Sequence, residues 1–155
     1  MPISQEGERE TASALATLGA KRRVQIPKAC MEILTWPKDD SVELIAELFE
    51  PGRVRLYLAD KMLPKIRAMR SEVQGSNAPD RLELLGAIDD KFNEVMHYTK
   101  GEHSVTLEKR IEMYLGVLPQ DDQHVFVEAT KETIDIMSLT YRNRRLELLK
   151  DSTSV

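Results

Sequence analysis

The sequence is poor in cysteine, in aromatic residues and in long apolar runs. Its one cysteine, Cys30, excludes an intramolecular disulfide framework and is typical of proteins in a reducing compartment. Aromatic residues make up only 5% of the chain and are scattered, which disfavours a stacking surface for single-stranded nucleic acid. No apolar run approaches the roughly 20 residues that a membrane helix needs. The polar, acidic start of the chain is unlike a signal peptide, so we expect a cytoplasmic protein with no membrane partner.

Motifs for catalysis and for metal binding are also missing. His97, His103 and His124 have no metal-ligand spacing with a cysteine or with paired carboxylates. There is no glycine-rich phosphate loop and no Gly-x-Ser-x-Gly sequence. Cys30 falls on the apolar face of a short predicted helix, where a thiol acts as a small hydrophobe. We therefore expect a protein that is not an enzyme and that binds no cofactor or metal.

What the sequence does contain is a local concentration of positive charge in an acidic chain. The formal net charge is -4, yet the segment from Thr11 to Met31 has four basic residues and no acid. These residues are Lys21, Arg22 and Arg23 in one predicted turn, and Lys28 at the start of the helix that follows. A charge triplet is often only a solvated turn. The acid-free surroundings instead favour contact with phosphate, because binding to DNA needs clustered, accessible cations.

A weaker copy of this segment occurs downstream, from Thr106 to Tyr114. In the alignment of the two segments, Arg23 corresponds to Arg110 and Arg22 to Lys109. The flanking acids Glu108 and Glu112 leave two interpretations of Lys109 and Arg110 open, namely DNA contact and a solvated surface. The candidate DNA-binding residues are therefore Lys21, Arg22, Arg23, Lys28, Lys109 and Arg110.

Hydrophobic periodicity predicts an α+β fold built from a repeated unit. We predict strands over 12–18, 24–26, 41–50, 53–58, 104–107, 110–113, 125–128 and 133–137. Helices are predicted to begin at Pro27, at Asp60, at Pro79 and at Thr140, with the third carrying an apolar stripe as far as Val95. The domain organisation is a disordered arm over 1–11, a first half over 12–74, a helical spacer over 75–102 and a second half over 103–150.

Three expectations concern tertiary contacts. A single hairpin is marginally stable in water, so the two halves should share one barrel in which strands near 24–26 and 110–113 interlock, with the helices outside. Arg53 and Arg55 should pair with Glu43 or Glu47 across their hairpin. The last helix should place Tyr141, Leu146 and Leu149 against the core.

The segments LGAKRRVQIPKACMEIL, DDSVEL and RVRLYLAD resemble the swapped-hairpin, AbrB-like fold of bacterial regulators and antitoxins. The second segment, VTLEKRIEMYLGVLPQDDQHVFVEATKETIDIMS, extends the resemblance to the MraZ family of transcriptional regulators, over about residues 12–149. The resemblance implies duplicated hairpin halves that form an intramolecular pseudo-dimeric barrel. It also implies ring-like homo-oligomers that bind short direct repeats in promoter double-stranded DNA through basic loops, in the nucleoid.

The chain departs from the family pattern at the turn of each half. The family motif is Asp-x-x-x-Arg, and the aspartate positions here hold Gly19 and Thr106. The glycine that precedes each arginine is replaced by Arg22 and Lys109, which makes the loops more positive. Two hypotheses follow: a sequence-specific DNA-binding regulator, or an oligomeric scaffold of the same fold that no longer binds specific DNA.

Overall fold

Alternating apolar residues and short turns build eight strands, and five helices lie between or after them, in the part of the chain that the structure describes. That part, in a computed structural model, is 11–19, 22–37, 42–99, 103–116 and 123–153. The strands are β1 Ala12–Leu18, β2 Arg23–Gln25, β3 Val42–Glu50, β4 Arg53–Leu58, β5 Phe92–Thr99, β6 Ser104–Thr106, β7 Gln123–Ala129 and β8 Thr133–Ser138. The helices are α1 Lys28–Ile33, α2 Ala59–Gln74, α3 Arg81–Lys91, α4 Lys109–Leu115 and α5 Leu139–Thr153. The predicted arm over 1–10 lies outside the described residues.

The strands form one curled antiparallel sheet, so the predicted α+β class is confirmed. Neighbouring strands pair in the order β1-β2-β6-β5-β3-β4-β8-β7, and β7 pairs again with β1 to close the order. The contact between β1 and β2 is the thinnest, with the single register pair Leu18–Val24. β1 pairs with β7 along its whole length, so it is not an edge strand. The sheet therefore closes, while β1 and β2 diverge away from Leu18.

Side chains of alternate strand residues fill the interior of this sheet. The largest members of the interior cluster are Leu44, Leu56, Leu107, Ile111, Ile134 and Ile136. A second cluster lies on the outer face, where Met62 and Ile66 of α2 cover Ile45 of β3 and Phe92 of β5. Trp36 is buried and donates its indole N–H to the Glu132 carbonyl at 2.9 Å.

The predicted strand over 110–113 is wrong, because these residues belong to helix α4. Ile111 and Leu115 are four positions apart and both are buried, which is helical spacing. Gly116 then ends the helix in the left-handed conformation, with φ 82°. The strand that pairs with β2 is β6, where Val24 lies opposite Val105. The alignment of Arg23 with Arg110 therefore fails, since one residue is in a strand and the other in a helix.

The helix predicted to run from Pro79 through Val95 ends at Lys91, and the chain continues as β5. The part of the apolar stripe that lies within α3 is not fully buried: Leu82 is 80% exposed, and no residue of α3 is buried. Phe92–Thr99 pairs instead with β3 on one side and with β6 on the other. Ladder hydrogen bonds to two neighbouring strands outweigh the local helical pattern here.

Two predictions about side-chain contacts also fail. Leu146 and Leu149 of α5 are not against the core but are 46% and 55% exposed. Arg53 and Arg55 do not pair with Glu43 or Glu47, because both donate to Asp135 on the neighbouring strand β8. Glu47 instead accepts a hydrogen bond from the Tyr57 hydroxyl at 2.6 Å and pairs with Lys91.

Candidate nucleic-acid interface

The β2–β6 strand pair brings the predicted basic residues towards one part of the molecule. Each strand of the pair leads directly into a short helix, β2 into α1 and β6 into α4. The Leu107 N–H donates to the Arg22 carbonyl at 2.8 Å, and the Ile26 N–H donates to the His103 carbonyl at 2.9 Å. The start of α4 is thereby joined to the Arg22 loop. We name the β2–β6 pair with its flanking basic residues, Arg22, Arg23, Lys28, Lys109 and Arg110, the basic ribbon.

Arg22 occupies an unusual backbone conformation at the edge of the basic ribbon. Its φ is 58°, in the left-handed region that residues with a Cβ seldom adopt. Its guanidinium is 43% exposed and forms an ion pair with Glu112 of α4, with Nη1 and Oε1 3.5 Å apart. The Glu112 side chain is only 5% exposed, and its Oε2 atom has no hydrogen-bond partner among the described residues. The buried Glu112 carboxylate is therefore paired with Arg22, whose side chain is nearly half exposed to solvent.

Arg23 and Lys28 are both exposed and line one open groove. This groove has a volume of about 870 Å³ and lies where β1 and β2 diverge. Leu15 and Ile26 contribute apolar wall, while Arg23 and Lys28 supply positive charge. A cationic side chain that is already exposed in an open groove can contact a phosphate without first leaving a buried site.

Lys109 and Arg110 are the first two residues of α4, and both are exposed. The Arg110 guanidinium donates to the Asp90 carbonyl near the end of α3. Arg110 is thus held towards α3, whereas no such contact joins Lys109 to another of the described residues. Lys21, the remaining predicted site residue, lies outside the described residues.

Sequence reasoning missed Glu112 as a member of this site. It treated Glu112 as a strand residue and as a flanking acid that would weaken the basic pair. A helical interpretation of Leu107, Ile111 and Leu115, with Gly116 as the end signal, would have placed Glu112 on the side of α4 that faces the sheet. The buried carboxylate is the feature that distinguishes Arg22 from its neighbour Arg23.

The described ranges also bear on metal binding and on thiol reactivity. They contain no group of three or more His, Cys, Asp or Glu side chains placed to hold a metal ion. Cys30 is fully buried, and this burial raises the pKa of its thiol, which disfavours the reactive thiolate. None of the helices in these ranges combines the length and the hydropathy needed to cross a bilayer.

No family model matches this sequence, and no curated protein matches it. Function is therefore inferred from the residues of the basic ribbon and from the resemblance carried by the sequence motifs.

Proposed function

We propose that this protein is a double-stranded-DNA-binding transcriptional regulator, similar to the MraZ family, that binds promoter repeats through the basic ribbon as a homo-oligomer. The observation that carries the proposal is the placement of exposed Arg23 and Lys28 in one open groove beside Arg22, in a chain that is acidic overall. The proposed activity is binding, not catalysis, and the proposed location is the cytoplasmic nucleoid. DNA is the polyanion that such a local basic surface would meet there.

The pattern of strand pairs supports the proposed duplication. If β1 to β4 are exchanged with β5 to β8, the set of neighbouring pairs stays the same: β1–β2 becomes β5–β6, β3–β4 becomes β7–β8, and β1–β7 becomes β5–β3. The pairs β2–β6 and β4–β8 map onto themselves. An exchange of this kind is what an intramolecular pseudo-dimer of two hairpin units requires. It supports the AbrB-like interpretation of the fold.

The same exchange gives the correspondence between the two halves. Val24 lies opposite Val105, and the helices that follow begin at Lys28 and at Lys109, four residues after each valine. We therefore take Val24 as equivalent to Val105 and Lys28 as equivalent to Lys109. Arg22 is then equivalent to His103, and both have positive φ, at 58° and 52°. Arg23 is equivalent to Ser104, which is buried. The two halves would therefore share one lysine at the start of the helix, while the arginine pair belongs to the first half alone.

This asymmetry makes the first half the main DNA-binding element of the proposal. The cations of the first half lie on β2 and at its two ends. The sequence around them, from Thr11 to Met31, contains no acidic residue. Those of the second half lie beside Glu108 and near the α3 carbonyl that holds Arg110. Phosphate binding is sensitive to net local charge and to access. Several copies of the first-half loop in one oligomer would engage repeated DNA sites and multiply weak single contacts.

The test is a titration of the full-length protein against a labelled duplex from the region upstream of its own gene. Binding is measured by fluorescence anisotropy over a series of salt concentrations, with a shuffled duplex of the same length for comparison. We expect affinity to fall steeply as salt rises, because each neutralised phosphate releases counterions. Preference for the upstream duplex would support specific recognition. Affinity that is absent at low salt would disprove DNA binding.

A second candidate, an oligomeric scaffold that does not bind specific DNA, is favoured by the exposed leucines of the helices. Leu82 of α3 is 80% exposed, and Leu146, Leu148 and Leu149 are exposed close together on α5, so α5 presents an apolar patch of the kind that marks a contact with another protein. A scaffold would oligomerise equally well with or without DNA. It would show no difference between the upstream and shuffled duplexes, and this result separates the two candidates.

A further inference from the structure

We propose that a cavity between the two halves of the molecule binds a small organic molecule with an aromatic ring and a carboxylate group. Its walls come from the loop after α1, the end of β4, the first two turns of α2 and the β7–β8 turn. Its volume is about 250 Å³. None of its lining residues belongs to the basic ribbon, so the inference does not depend on DNA binding.

Hydrogen bonds hold two walls of this cavity together before any ligand arrives. The backbone N–H and the hydroxyl of Thr35 both donate to the Lys131 carbonyl at 2.8 Å. The Trp36 indole N–H donates to the Glu132 carbonyl at 2.9 Å. These bonds join segments that are 96 residues apart in the chain. The site is therefore largely formed in advance, which lowers the free-energy cost of binding a ligand.

The exchange of strands described above gives this cavity a counterpart in the second half. Strands β4 and β8 lead directly into α2 and α5, and the facing residues Arg55 and Asp135 lie four residues before the start of each helix. Lys61, the third residue of α2, is thus equivalent to Tyr141, the third residue of α5. The surroundings of Tyr141 therefore show how the second half uses the same space.

In the second half, the ring of Tyr141 fills this space. Tyr141 packs directly on Gly52, where an added Cβ would lie 2.8 Å from the Tyr141 Cβ, and its hydroxyl donates to Glu50 at 2.7 Å. Counting back from the same facing pair places Glu132 where the other turn has Gly52. The first half thus has Lys61 in place of the tyrosine, and the cavity lies beside it. An aromatic ring is what the fold accommodates at the equivalent position.

The size and the apolar lining of the cavity also suit an aromatic ring. Trp36 and Met62 are buried, Leu58 is half-buried, and all three line the cavity. An apolar cavity of about 150 Å³ is large enough for benzene. A volume of about 250 Å³ therefore has room for one ring with a short chain attached.

The charged groups from all walls of the cavity favour a carboxylate. Lys61 and Lys65 lie four positions apart on one face of α2, and the lining contains one acid, Glu132. Neither lysine forms an ion pair with another residue that the structure describes. The remaining titratable group, Tyr57, donates its hydroxyl to Glu47 and has its pKa raised to about 12 by burial, so it is neutral at pH 7. The lining therefore has a net positive charge, which the ligand's carboxylate offsets.

The experiment uses Trp36 as the reporter, because it is the single tryptophan of the chain and lines the cavity. Fluorescence excited at 295 nm is followed as full-length protein without DNA is titrated with 3-phenylpropanoate. The parent should show a saturable change with a Kd of about 1 mM or lower. Two comparison compounds, 3-phenylpropan-1-ol without the charge and propanoate without the ring, should each bind at least about fivefold more weakly.

Variants of the charged lining test where the carboxylate binds. Lys61→Ala and Lys65→Ala should each raise the Kd for 3-phenylpropanoate about two- to fivefold, and the double variant should bind the acid and the alcohol equally. Glu132→Gln should lower the Kd by about two- to fivefold, because it removes a negative charge from the site. Arg67→Ala, at an exposed position of α2 that does not line the cavity, is the matched control and should leave the Kd unchanged.

Several results would overturn the inference. One is a parent with no saturable change up to about 10 mM 3-phenylpropanoate, and another is a parent that binds the alcohol as tightly as the acid. An effect of Arg67→Ala as large as that of the lysine variants would mean that net charge alone attracts the probe. Weaker binding by Glu132→Gln would contradict the assigned ligand class. Circular dichroism confirms that each variant is folded, and methionine, which keeps the apolar stem of lysine, replaces alanine if a lysine variant does not fold.

Discussion

The Glu112 carboxylate lies 3.5 Å from the Arg22 guanidinium, and its second oxygen, Oε2, is buried with no hydrogen-bond partner in the described part of the chain. The two groups differ in their access to water, since Arg22 is 43% exposed and Glu112 is 5% exposed. The pair joins the Arg22 loop to α4. Any DNA phosphate that reaches this loop competes with Glu112 for Arg22.

We predict that Glu112→Gln raises DNA affinity by a factor of about two to five, because an ion pair with an exposed partner is worth at most about 1 kcal/mol. The substitution preserves the shape of the side chain and removes a buried charge with poor compensation, so the free energy of unfolding should not fall by more than about 1 kcal/mol. Anisotropy titrations and urea denaturation measure the two effects. Glu132→Gln, an exposed acid in the β7–β8 turn, is the control and should change neither.

The cations of the basic ribbon, and Lys21 next to them in the sequence, should differ in their effects on DNA binding. Lys21→Ala and Lys28→Ala should each weaken binding to all sequences and reduce the salt slope by about one unit, as expected for phosphate contacts. If Arg23 reads a base, Arg23→Ala should cost about 1–3 kcal/mol at one position of the site and relax the preference there.

Lys65→Ala and Arg67→Ala, both at exposed positions of α2, are the controls for loss of positive charge. They should leave the salt slope unchanged. Equal effects from the ribbon and α2 variants would mean that net charge alone governs binding, which contradicts a localised interface.

Asp135 is predicted to be the most important acid for stability in the described structure. Its carboxylate accepts hydrogen bonds from both Arg53 and Arg55, and the side chains of Arg53 and Asp135 are almost fully buried. Asp135→Asn should lower the free energy of unfolding by about 3–5 kcal/mol, because it leaves buried guanidinium charge without its counterion. Urea denaturation measures the loss. Asp89→Asn, which breaks an exposed pair with Arg70, should cost less than about 1 kcal/mol.

The two glycines Gly52 and Gly86 should respond to alanine in opposite directions. Gly52 has φ 96°, and an added Cβ would lie 2.8 Å from the Tyr141 Cβ, so Gly52→Ala should destabilise by about 1–3 kcal/mol. Gly86 lies inside α3, and an added Cβ would meet nothing within 4 Å. Gly86→Ala should therefore stabilise by about 0.5–1 kcal/mol through helix propensity. Thermal denaturation of both variants tests the contrast, and a similar loss from each would contradict it.

Tyr57 should make stability depend on pH in the alkaline range. Burial, with a contribution from its hydrogen bond to Glu47, raises the pKa of Tyr57 from 10.0 to about 12. Below pH 10 the phenol is protonated in both folded and unfolded chains, so the full stabilisation is present. Between pH 10 and 12 the unfolded chain loses its proton first, so stability should fall as pH rises through this window.

Absorbance at 295 nm follows phenolate formation, and urea denaturation at each pH gives the stability. Tyr57→Phe should remove the transition near pH 12 and flatten the loss of stability. Tyr114→Phe is the comparison variant: burial also raises the pKa of Tyr114, so its removal should lessen the loss of stability but leave the transition near pH 12 in place. A parent whose stability is constant from pH 10 to 12 would contradict the assignment.

Local sequence patterns determined a large part of the fold. The alternation in Arg53–Leu58 and the Pro51–Gly52 turn predicted the β3–β4 hairpin, and Gly52 adopts the positive φ that the turn requires. Pro27 predicted the start of α1. These predictions hold because each depends on dihedral preferences and side-chain spacing within a few residues. The concentration of positive charge around Arg22, Arg23 and Lys28 was likewise evident from the sequence.

Contacts between distant segments decided the rest, because several local patterns fit more than one structure. In the sequence, the start of Phe92–Thr99 continues the apolar spacing of a helix. In the structure, this segment is a strand because it pairs with β3 and β6. The sequence pattern of Ile111–Met113 is compatible with a strand. In the structure, Ile111 and Leu115 are buried on one face of a helix, which is α4. Which acid pairs with which arginine, Glu112 with Arg22 and Asp135 with Arg53, depends on neighbours that are far apart in the chain. The spacing of apolar residues in the sequence sets the local backbone geometry. Only the closed sheet brings these charged side chains close enough to form ion pairs.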